Sequence, residues 1–475
     1  MDQQAKSKPI AQVLAGWSER GHGNLAQRLA HALREQVLAG LITPGTRLPP
    51  ERQLAATLAV SRSTVTAALD ELRGEGLVES RRGAGTVVVG VSANADGSGQ
   101  RMVGYLTANS GGVDLAVGNP FDVTHLPPQS LDVADLMASG AGDGFHPLGL
   151  PALRRALAER HTSRGLLTQP EEIHVTGGAH QAISMLAAAF VRRGGTVATA
   201  VPGYPGFFDI TDARALRVVP IDTDRGGLLP DSLDRVLNES RPQLVYVQHG
   251  PHNPTGIVSS VTRRRSLAKV LDDHDGVLVV EDSTLAPLTF AGDPDPDLAQ
   301  LCRRATVVSV CSVSKVLWAG LRVGWLRAPL PVIERTLRRQ LETDLGTSIP
   351  SQLLCLGWLA RFDEIATGRR GFLGDQVARA SAQLAELIPE WSFDEPAGSS
   401  AIWVDTGLVD AAPLVHLARR FGVHIVSGVI STPGAQASGH LRLCVDRPWP
   451  IVEAGLDRLA AAWQDHQRRP LPTAG

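Results

Sequence analysis

A single lysine stands where covalent chemistry would need one. The segment 312–325, SVSKVLWAGLRVGW, contains Lys315, one of only four lysines in a chain of 475 residues. Elsewhere the chain uses arginine for nearly all of its positive charge. A lysine amine can form a Schiff base with an aldehyde, which a guanidinium cannot do. Other motifs of the chain indicate which aldehyde Lys315 would bind.

Three further residues suit the ring of a pyridine aldehyde. Asp282, in GVLVVEDST, can pair with a protonated ring nitrogen and keep the ring cationic, which makes the ring an electron sink. Asn253, in NPTG, can hydrogen-bond a ring hydroxyl, and Tyr204, between two prolines, can stack on the ring.

A second group of residues suits a phosphate. Gly178, Ala179 and His180 open a predicted helix, whose free N–H groups favour an anion. Ser312 and Arg322 can complete the phosphate cup. Together with the ring contacts, this set describes pyridoxal 5′-phosphate (PLP).

Each residue also has an ordinary structural interpretation. A lysine after a strand is usually solvated, and an aspartate at a strand end usually closes a turn or caps a helix. Paired glycines usually form a turn, and a tyrosine between prolines usually packs at the surface. The order and spacing of the whole set therefore carry the interpretation.

Short apolar runs lead into these positions. They end at Gly177 and Gly178, Tyr204, Asn253, Asp282 and Lys315. Apolar runs of this length predict strands buried on both faces, and the helical patterns between them predict parallel crossovers. Ligands gather beyond the carboxyl ends of such strands, so we expect the corners to converge on one site. Glu281, one residue before Asp282, should face the other side of its strand.

The order of these motifs resembles that of fold-type I aminotransferases over nearly all of residues 113–450. A glycine-rich corner is followed by PGYP, NPTG, a strand aspartate, and Ser312-x-Ser314-Lys315 with GLRVG behind it. The resemblance implies a PLP-binding α/β fold with a large and a small domain. It also implies that Arg442, in GHLRLCVD, binds the α-carboxylate of an amino-acid ligand through its planar fork.

Three positions depart from the active members of that family. Thr284 stands where a tyrosine often bonds the ring hydroxyl, and His180 stands where the related regulators usually have glutamine. A tyrosine lent by the neighbouring subunit would fall on Gly144, and Phe145 or His146 would have to replace it. Since two of these changes remove tyrosine hydroxyls, we expect PLP binding with poor or no transaminase turnover.

The first 90 residues have a different pattern. Apolar residues recur at helical spacing in three segments, and LVESRRGAGTVVV reads as two short strands around a tight turn. Three helices and a hairpin form a winged helix-turn-helix. The third helix opens with Ser61, Arg62, Ser63 and Thr64, as a DNA-recognition helix would. The alternative is a small helical docking module with solvated arginines.

This head resembles the GntR family of bacterial transcription regulators from PGTRLPPERQLA through VSRSTV to the GAGT wing. The resemblance implies that double-stranded DNA is met by Arg52, Arg62, Ser63, Thr64 and the wing glycines Gly83 and Gly85. Their positions at the start of the third helix and in the wing predict the same role for Ser61, Arg81 and Arg82. Thr66 stands where the family often has an arginine, so one base contact is expected to be absent.

A GntR head on an aminotransferase-like body resembles the MocR subfamily, also called GabR-like regulators. We expect the head at 20–90, a Gly/Ser-rich linker at 91–112 and the body at 113–475. Within the body, the large domain is expected at roughly 140–345 and the small domain at 346–475. The resemblance implies a head-to-tail homodimer whose DNA affinity responds to PLP, alone or with an amino-acid or amine effector.

Composition supports this organisation. Residues 1–90 carry eleven Lys and Arg against eight Asp and Glu, although the whole chain has a net charge of −2. A basic head on an acidic body favours contact between the head and phosphate. The four cysteines have no metal or redox spacing and no apolar segment is long enough to span a bilayer, so we expect a cytoplasmic protein without a metal site.

Three functions are compatible with these features. The first is a PLP-responsive transcription regulator, the second a working aminotransferase that carries a DNA-binding head, and the third a DNA-binding protein whose body only dimerises. Retention of Lys315, Asp282 and Asn253 argues against the third, and the absent tyrosines argue against the second.

Overall fold

The structure is a computed structural model. It describes Leu14, Trp17, Ile42 and the ranges 24–38, 46–74, 78–81, 85–88, 101–106, 112–138, 142–291 and 296–468. Along the described chain lie a small N-terminal head, one short connecting helix and a large α/β body.

The head is the expected winged helix-turn-helix. Its helices are α1 (Leu25–Leu38), α2 (Glu51–Leu58) and α3 (Arg62–Gly74), and strands β1 (Val78–Arg81) and β2 (Gly85–Val88) form an antiparallel hairpin. Val65 and Leu69 of α3 are fully buried in one core with Leu29 and Leu33 of α1. Leu14 and Trp17 also pack into this core, before the predicted start at residue 20.

A short helix, α4 (Arg101–Leu106), lies within the segment that composition assigned to a linker. The Arg101 side chain is only 1% exposed and pairs with Asp209 and Asp212 of the body. The backbone N–H groups of Arg101 and Met102 also donate to the Asp209 carboxylate, at 3.2 and 2.9 Å. The described end of the linker is therefore anchored to the body.

The described part of the body contains twelve further α-helices and fourteen strands. The helices are α5 (Val133–Ala138), α6 (Pro151–Ser163), α7 (Ala179–Phe190), α8 (Pro205–Ala213), α9 (Pro230–Ser240), α10 (Val261–Asp272), α11 (Leu298–Leu301), α12 (Leu330–Leu341), α13 (Ile349–Leu359), α14 (Phe362–Leu387), α15 (Ala412–Arg420) and α16 (Trp449–Arg468). The strands are β3 (Val113–Asp114), β4 (Ile173–Thr176), β5 (Thr196–Ala200), β6 (Arg217–Ile221), β7 (Thr223–Asp224), β8 (Gly227–Leu228), β9 (Leu244–Val247), β10 (Leu278–Asp282), β11 (Thr306–Ser312), β12 (Gly324–Arg327), β13 (Ala401–Asp405), β14 (Val423–His424), β15 (Val426–Ser427) and β16 (His440–Cys444).

The large domain is built on a seven-stranded sheet. Its strand order is β4-β12-β11-β10-β9-β5-β6, and only β12 runs antiparallel to its neighbours. Strands β4, β9 and β10 are buried along their whole length, because helices cover both faces of the sheet. The carboxyl ends of the six parallel strands lie at one edge, where the sequence predicts the site.

The small domain contacts this edge, where the Gly203 N–H after β5 donates to the Ser431 carbonyl at 2.9 Å. Strands β13, β16 and β15 form an antiparallel sheet, and its core includes Leu384 of α14 and Leu456 of α16. Strand β3, which follows the linker directly, pairs with β14 of the same domain. The first strand of the body therefore belongs to the small domain, which is otherwise formed by the C-terminal part of the body. In the described part of the chain, no helix combines the length and the hydropathy of a membrane span.

Candidate functional site

Lys315 lies three residues beyond the end of β11 and is half-buried. Its amine donates to the Gly118 carbonyl and to the Asn119 Oδ1, both at 2.7 Å. Both acceptors belong to the segment that follows β3, so the lysine bridges the large domain and the start of the body. Sequence reasoning missed Gly118 and Asn119, because nothing in a local motif indicates a contact across almost two hundred residues.

Asp282 ends β10 and its carboxylate is buried. Oδ2 accepts from the Tyr246 hydroxyl at 2.6 Å and from Gln248 Nε2 at 3.1 Å, while Oδ1 accepts from the Thr284 N–H at 3.0 Å. Tyr246 lies opposite Val280 in the parallel register, which places it on the same face of the sheet as Asp282. The sequence analysis missed both Tyr246 and Gln248.

The Tyr246 ring stacks on Phe207, with ring centroids 4.4 Å apart and planes 12° apart. Burial, together with the neighbouring Asp282 carboxylate, raises the pKa of Tyr246 well above its usual value. The hydroxyl therefore stays protonated and can act only as a donor to the carboxylate.

The Asn253 corner joins the same network. The Asn253–Pro254 peptide is cis, and the Asn253 N–H donates to Gln248 Oε1 at 3.3 Å. Within the described part of the chain, neither Asn253 Oδ1 nor Thr284 Oγ1 has a hydrogen-bond partner, although both atoms are buried. Buried polar atoms without partners are costly, so both atoms suit a ligand that carries a hydroxyl group.

The predicted phosphate corner is assembled from three strand ends. Gly178 precedes α7 with φ at +109°, a conformation that favours glycine. The Arg322 guanidinium donates to the Gly177 carbonyl, and a Cβ added to Gly178 would lie 3.0 Å from Arg322 Nη2. Ser312 pairs in register with Gly324, and its hydroxyl lies 3.0 Å from Ser314 Oγ. The Arg322 guanidinium, the two serine hydroxyls and the N-terminus of α7 thus lie at one corner of the sheet edge.

The two aromatic candidates also lie together. Tyr204 immediately precedes α8, and its hydroxyl lies 3.4 Å from His180 Nδ1 in the first turn of α7. The two rings meet edge to face, with centroids 6.3 Å apart. The structure therefore brings Gly178, Ala179, His180 and Tyr204 to one corner of the sheet edge.

Arg442 lies in β16, on the small-domain side, and is buried. Its Nη1 donates to the Ala116 carbonyl at 3.2 Å. Its Nη2 would lie 3.4 Å from a Cβ added to Gly118, the residue whose carbonyl holds Lys315. The predicted carboxylate-binding arginine is therefore adjacent to the predicted Schiff-base lysine.

Glu281 faces away from this site, as its strand position predicts. Its carboxylate accepts from the N–H groups of Leu298 and Ala299 at the start of α11, at 2.8 and 3.3 Å. Burial and the neighbouring Asp297 raise the pKa of Glu281 to about 8. This carboxyl group serves the packing of α11 and not the candidate site.

In the head, Ser61 caps the start of α3. Its hydroxyl accepts from the Thr64 N–H at 3.1 Å and lies 2.8 Å from the Ser63 hydroxyl. The Arg62 side chain is 59% exposed, with Nε 3.4 Å from Glu51, and Arg52 is also exposed. One polar surface at the start of α3 is thus formed by Ser61, Arg62, Ser63 and Thr64, and Thr66 donates to Glu51 beside it.

The wing is described only in part. Arg81 ends β1 and Gly85 starts β2 with φ at +76°, whereas the predictions for Arg82 and Gly83 lie outside the described residues. Sequence reasoning missed Arg47, an exposed residue whose Nε would lie 3.4 Å from a Cβ on Gly85. The signal was the position of Arg47 in the segment 43–52, TPGTRLPPER, which ends at Arg52.

Two family models match the chain. Residues 110–459 match "Aminotransferase class I and II", and residues 25–88 match "Bacterial regulatory proteins, gntR family". The chain is 28% identical to the HTH-type transcriptional regulator TauR of Rhodobacter capsulatus, over 93% of this chain and 97% of TauR. The chain belongs to the class I and II aminotransferase family. With its gntR-family head it matches the MocR/GabR-like subfamily of regulators.

Other MocR/GabR-like relatives give the same picture. The HTH-type pyridoxine biosynthesis transcriptional regulator PdxR of Corynebacterium glutamicum is 29% identical over 68% of this chain and 70% of PdxR. The probable rhizopine catabolism regulatory protein MocR of Rhizobium meliloti is 29% identical over 64% of this chain and 65% of MocR.

Solved structures resemble the body of this MocR/GabR-like chain. LysN, an α-aminoadipate aminotransferase from Thermus thermophilus, superposes with a TM-score of 0.69 at 24% identity, over 78% of this chain and 96% of LysN. A kynurenine aminotransferase from Pyrococcus horikoshii gives a TM-score of 0.69 at 22% identity, over 78% of this chain and 94% of the enzyme. These likenesses establish the fold-type I architecture of the body.

Proposed function

We propose that this protein is a PLP-responsive transcriptional regulator. In this account the winged head binds operator DNA, and PLP in the body changes that binding. The observation that carries the proposal is the convergence of Lys315, Asp282 and Asn253 at one sheet edge, on a chain that also has a GntR-type head.

The residues present fit PLP. The buried Asn253 Oδ1 and Thr284 Oγ1 lack partners among the described residues and suit a ring hydroxyl, and Asp282 offers a carboxylate to a ring nitrogen. The phosphate would be held by Gly178, Ala179, His180, Ser312, Ser314 and Arg322, with Tyr204 against the ring. When bound, PLP supplies an aldehyde that condenses reversibly with amines, and Lys315 is the amine at hand.

The same site lacks the two tyrosine hydroxyls that the resemblance places in active aminotransferases. Thr284 offers a short aliphatic hydroxyl, and the loop position at Gly144 offers no side chain. Its neighbour Phe145 is 62% exposed and has no hydroxyl to donate. We therefore propose that the body senses a ligand rather than turning over a substrate, with Arg442 holding the carboxylate of an amino-acid effector.

A second copy of the chain is the proposed partner of the body. Large apolar side chains are exposed along one stretch of the described chain, namely Phe121, Val123, Val133, Met137 and Phe145. Exposed apolar side chains concentrated in this way are typical of protein interfaces. We propose a homodimer in which this stretch is buried between the two copies and both heads contribute to DNA binding.

Contacts of α4 connect the candidate site with the linker that leads to the head. Helix α8 begins directly after Tyr204, and its Asp209 and Asp212 hold Arg101 of the linker helix. Arg101 also donates to the Thr432 carbonyl of the small domain, at 3.4 Å. A ligand that shifts α8 or the small domain would therefore displace Arg101 and α4, which connect the body to the head. The change in DNA affinity then depends on how much more tightly the ligand binds one arrangement of body and head than the other.

The test is to measure binding to the DNA upstream of the protein's own gene, with and without PLP and candidate amines. Lys269→Ala is the matched control for Lys315→Ala, since Lys269 lies on α10, away from the site. We expect wild type and Lys269→Ala to respond to PLP and Lys315→Ala not to respond. Steady transamination by the wild type, with no effect of PLP on DNA binding, would favour a working aminotransferase instead.

A further inference from the structure

The hydroxyl of Tyr246 contacts the candidate site through Asp282. Its 2.6 Å hydrogen bond is the shortest of the three that the structure gives this carboxylate, and it shares Oδ2 with the Gln248 amide at 3.1 Å. The chain has only three tyrosines, and Tyr246 is fully buried within the sheet.

The acceptor capacity of Asp282 is nearly used. An ionised carboxylate offers about two acceptor positions on each oxygen. Tyr246 and Gln248 occupy both positions of Oδ2, and the Thr284 N–H occupies one position of Oδ1. One acceptor position, on Oδ1, is left for a further donor, so the two donors on Oδ2 fix which oxygen can serve a ligand.

Packing alone does not call for a tyrosine at position 246. The ring stacks on Phe207, and a phenylalanine ring would stack equally well. A hydroxyl buried among apolar side chains is unfavourable unless it is bonded, and its bond here goes to a charged acceptor. Since burial and Asp282 raise the pKa of Tyr246, the hydroxyl remains a donor across the physiological range.

We propose that Tyr246 is a positioning residue for the PLP ring nitrogen. Its hydroxyl holds the Asp282 carboxylate in one orientation, stabilises its negative charge and leaves Oδ1 for the protonated nitrogen. The inference rests on the proposed function, because it assigns a role toward the same cofactor. Tyr246 acts through Asp282 and does not itself contact the ring.

The test uses two ligands, PLP and an analogue in which carbon replaces the ring nitrogen. We expect Tyr246→Phe to raise the Kd for PLP about tenfold, the usual effect of losing one hydrogen bond to a charged group. The Kd for the analogue should not change, since the analogue makes no bond through its ring nitrogen. Tyr204→Phe is the matched control, because its hydroxyl lies beside His180 and its effect should be equal for both ligands.

A double-mutant cycle provides a second test of the inference that does not depend on the behaviour of a single variant. In an Asp282→Asn background, Tyr246→Phe should have no further effect on the Kd for PLP. Equal weakening of PLP and the analogue by Tyr246→Phe, or an unchanged Kd for PLP, would overturn the inference alone. A folded wild-type protein that binds no PLP would overturn the proposed function, and this inference with it.

Discussion

At the scale of single residues, the candidate site depends on a few polar atoms that have specific partners. Lys315 and Asp282 could be predicted from their types and from their positions after apolar runs. Tyr246 and Asn119 could not, because their roles depend on strand register and on a contact across the whole large domain. The type of a residue indicates what chemistry it can do, but only the fold shows which other residues contact it and hold it in place.

Gly178 offers a direct test at this scale. Alanine there would adopt a positive φ and would approach Arg322 within 3.0 Å, so Gly178→Ala should destabilise the fold by about 1–3 kcal/mol and weaken PLP binding. Gly276→Ala shares the positive φ but has open space around it. Thermal unfolding with PLP titration checks this, and equal PLP affinity in both variants would contradict the assignment of Gly178 to the phosphate corner.

Glu281 gives a prediction about pH. Its pKa is raised in the folded protein to about 8 from an ordinary value of 4.5, because of burial and then Asp297. The folded state therefore binds a proton that the unfolded state releases, so wild-type stability should fall as the pH rises from about 4.5 towards about 8. Glu281→Gln should reduce this slope in denaturant titrations. A slope identical to that of the wild type would show that Glu281 does not cause it.

At the scale of elements, the strands that end at the site could be predicted because they are apolar, short and buried on both faces. The reversal of β12 could not, since GWLR has no feature that fixes direction. Helix α4 could not be predicted either. It has only six residues, and its N-terminus is held by Asp209, a residue more than one hundred positions away.

The anchor of α4 can be measured through Arg101. Replacing Arg101 by alanine leaves Asp209 buried without its cation, which should cost about 3–5 kcal/mol of stability. Arg225→Ala is the control, because its pair with Asp394 is 87% and 66% exposed and should contribute no more than about 1 kcal/mol. Denaturant unfolding compares the two. Similar losses in both variants would show that Arg101 does not anchor the linker helix.

At the scale of the whole molecule, the sequence predicted two parts of different character, and both the fold and the family comparisons agree with that division. The predicted division of the body into a large and a small domain left its first residues unassigned. Strand β3 joins the small domain through β14, which neither composition nor periodicity indicates in a pair of two-residue strands.

The proposed dimer gives a prediction at this scale. Met137 is 81% exposed within the apolar stretch, so Met137→Glu should shift the protein from dimer towards monomer in size-exclusion chromatography with light scattering. Val409→Glu is the control, since Val409 is 89% exposed but lies outside that stretch. An unchanged dimer in Met137→Glu, or equal dissociation of both variants, would remove this stretch as the interface.

The central claim is that PLP is held covalently by the amine of Lys315. Borohydride reduction of the PLP-loaded protein, followed by peptide mapping with mass spectrometry, tests it most directly. We predict that the phosphopyridoxyl group will be found on the peptide that contains Lys315 and will be absent from Lys315→Ala. A modification on Lys269, or a Lys315→Ala variant that keeps both the visible absorbance and the labelled peptide pattern, would contradict the account.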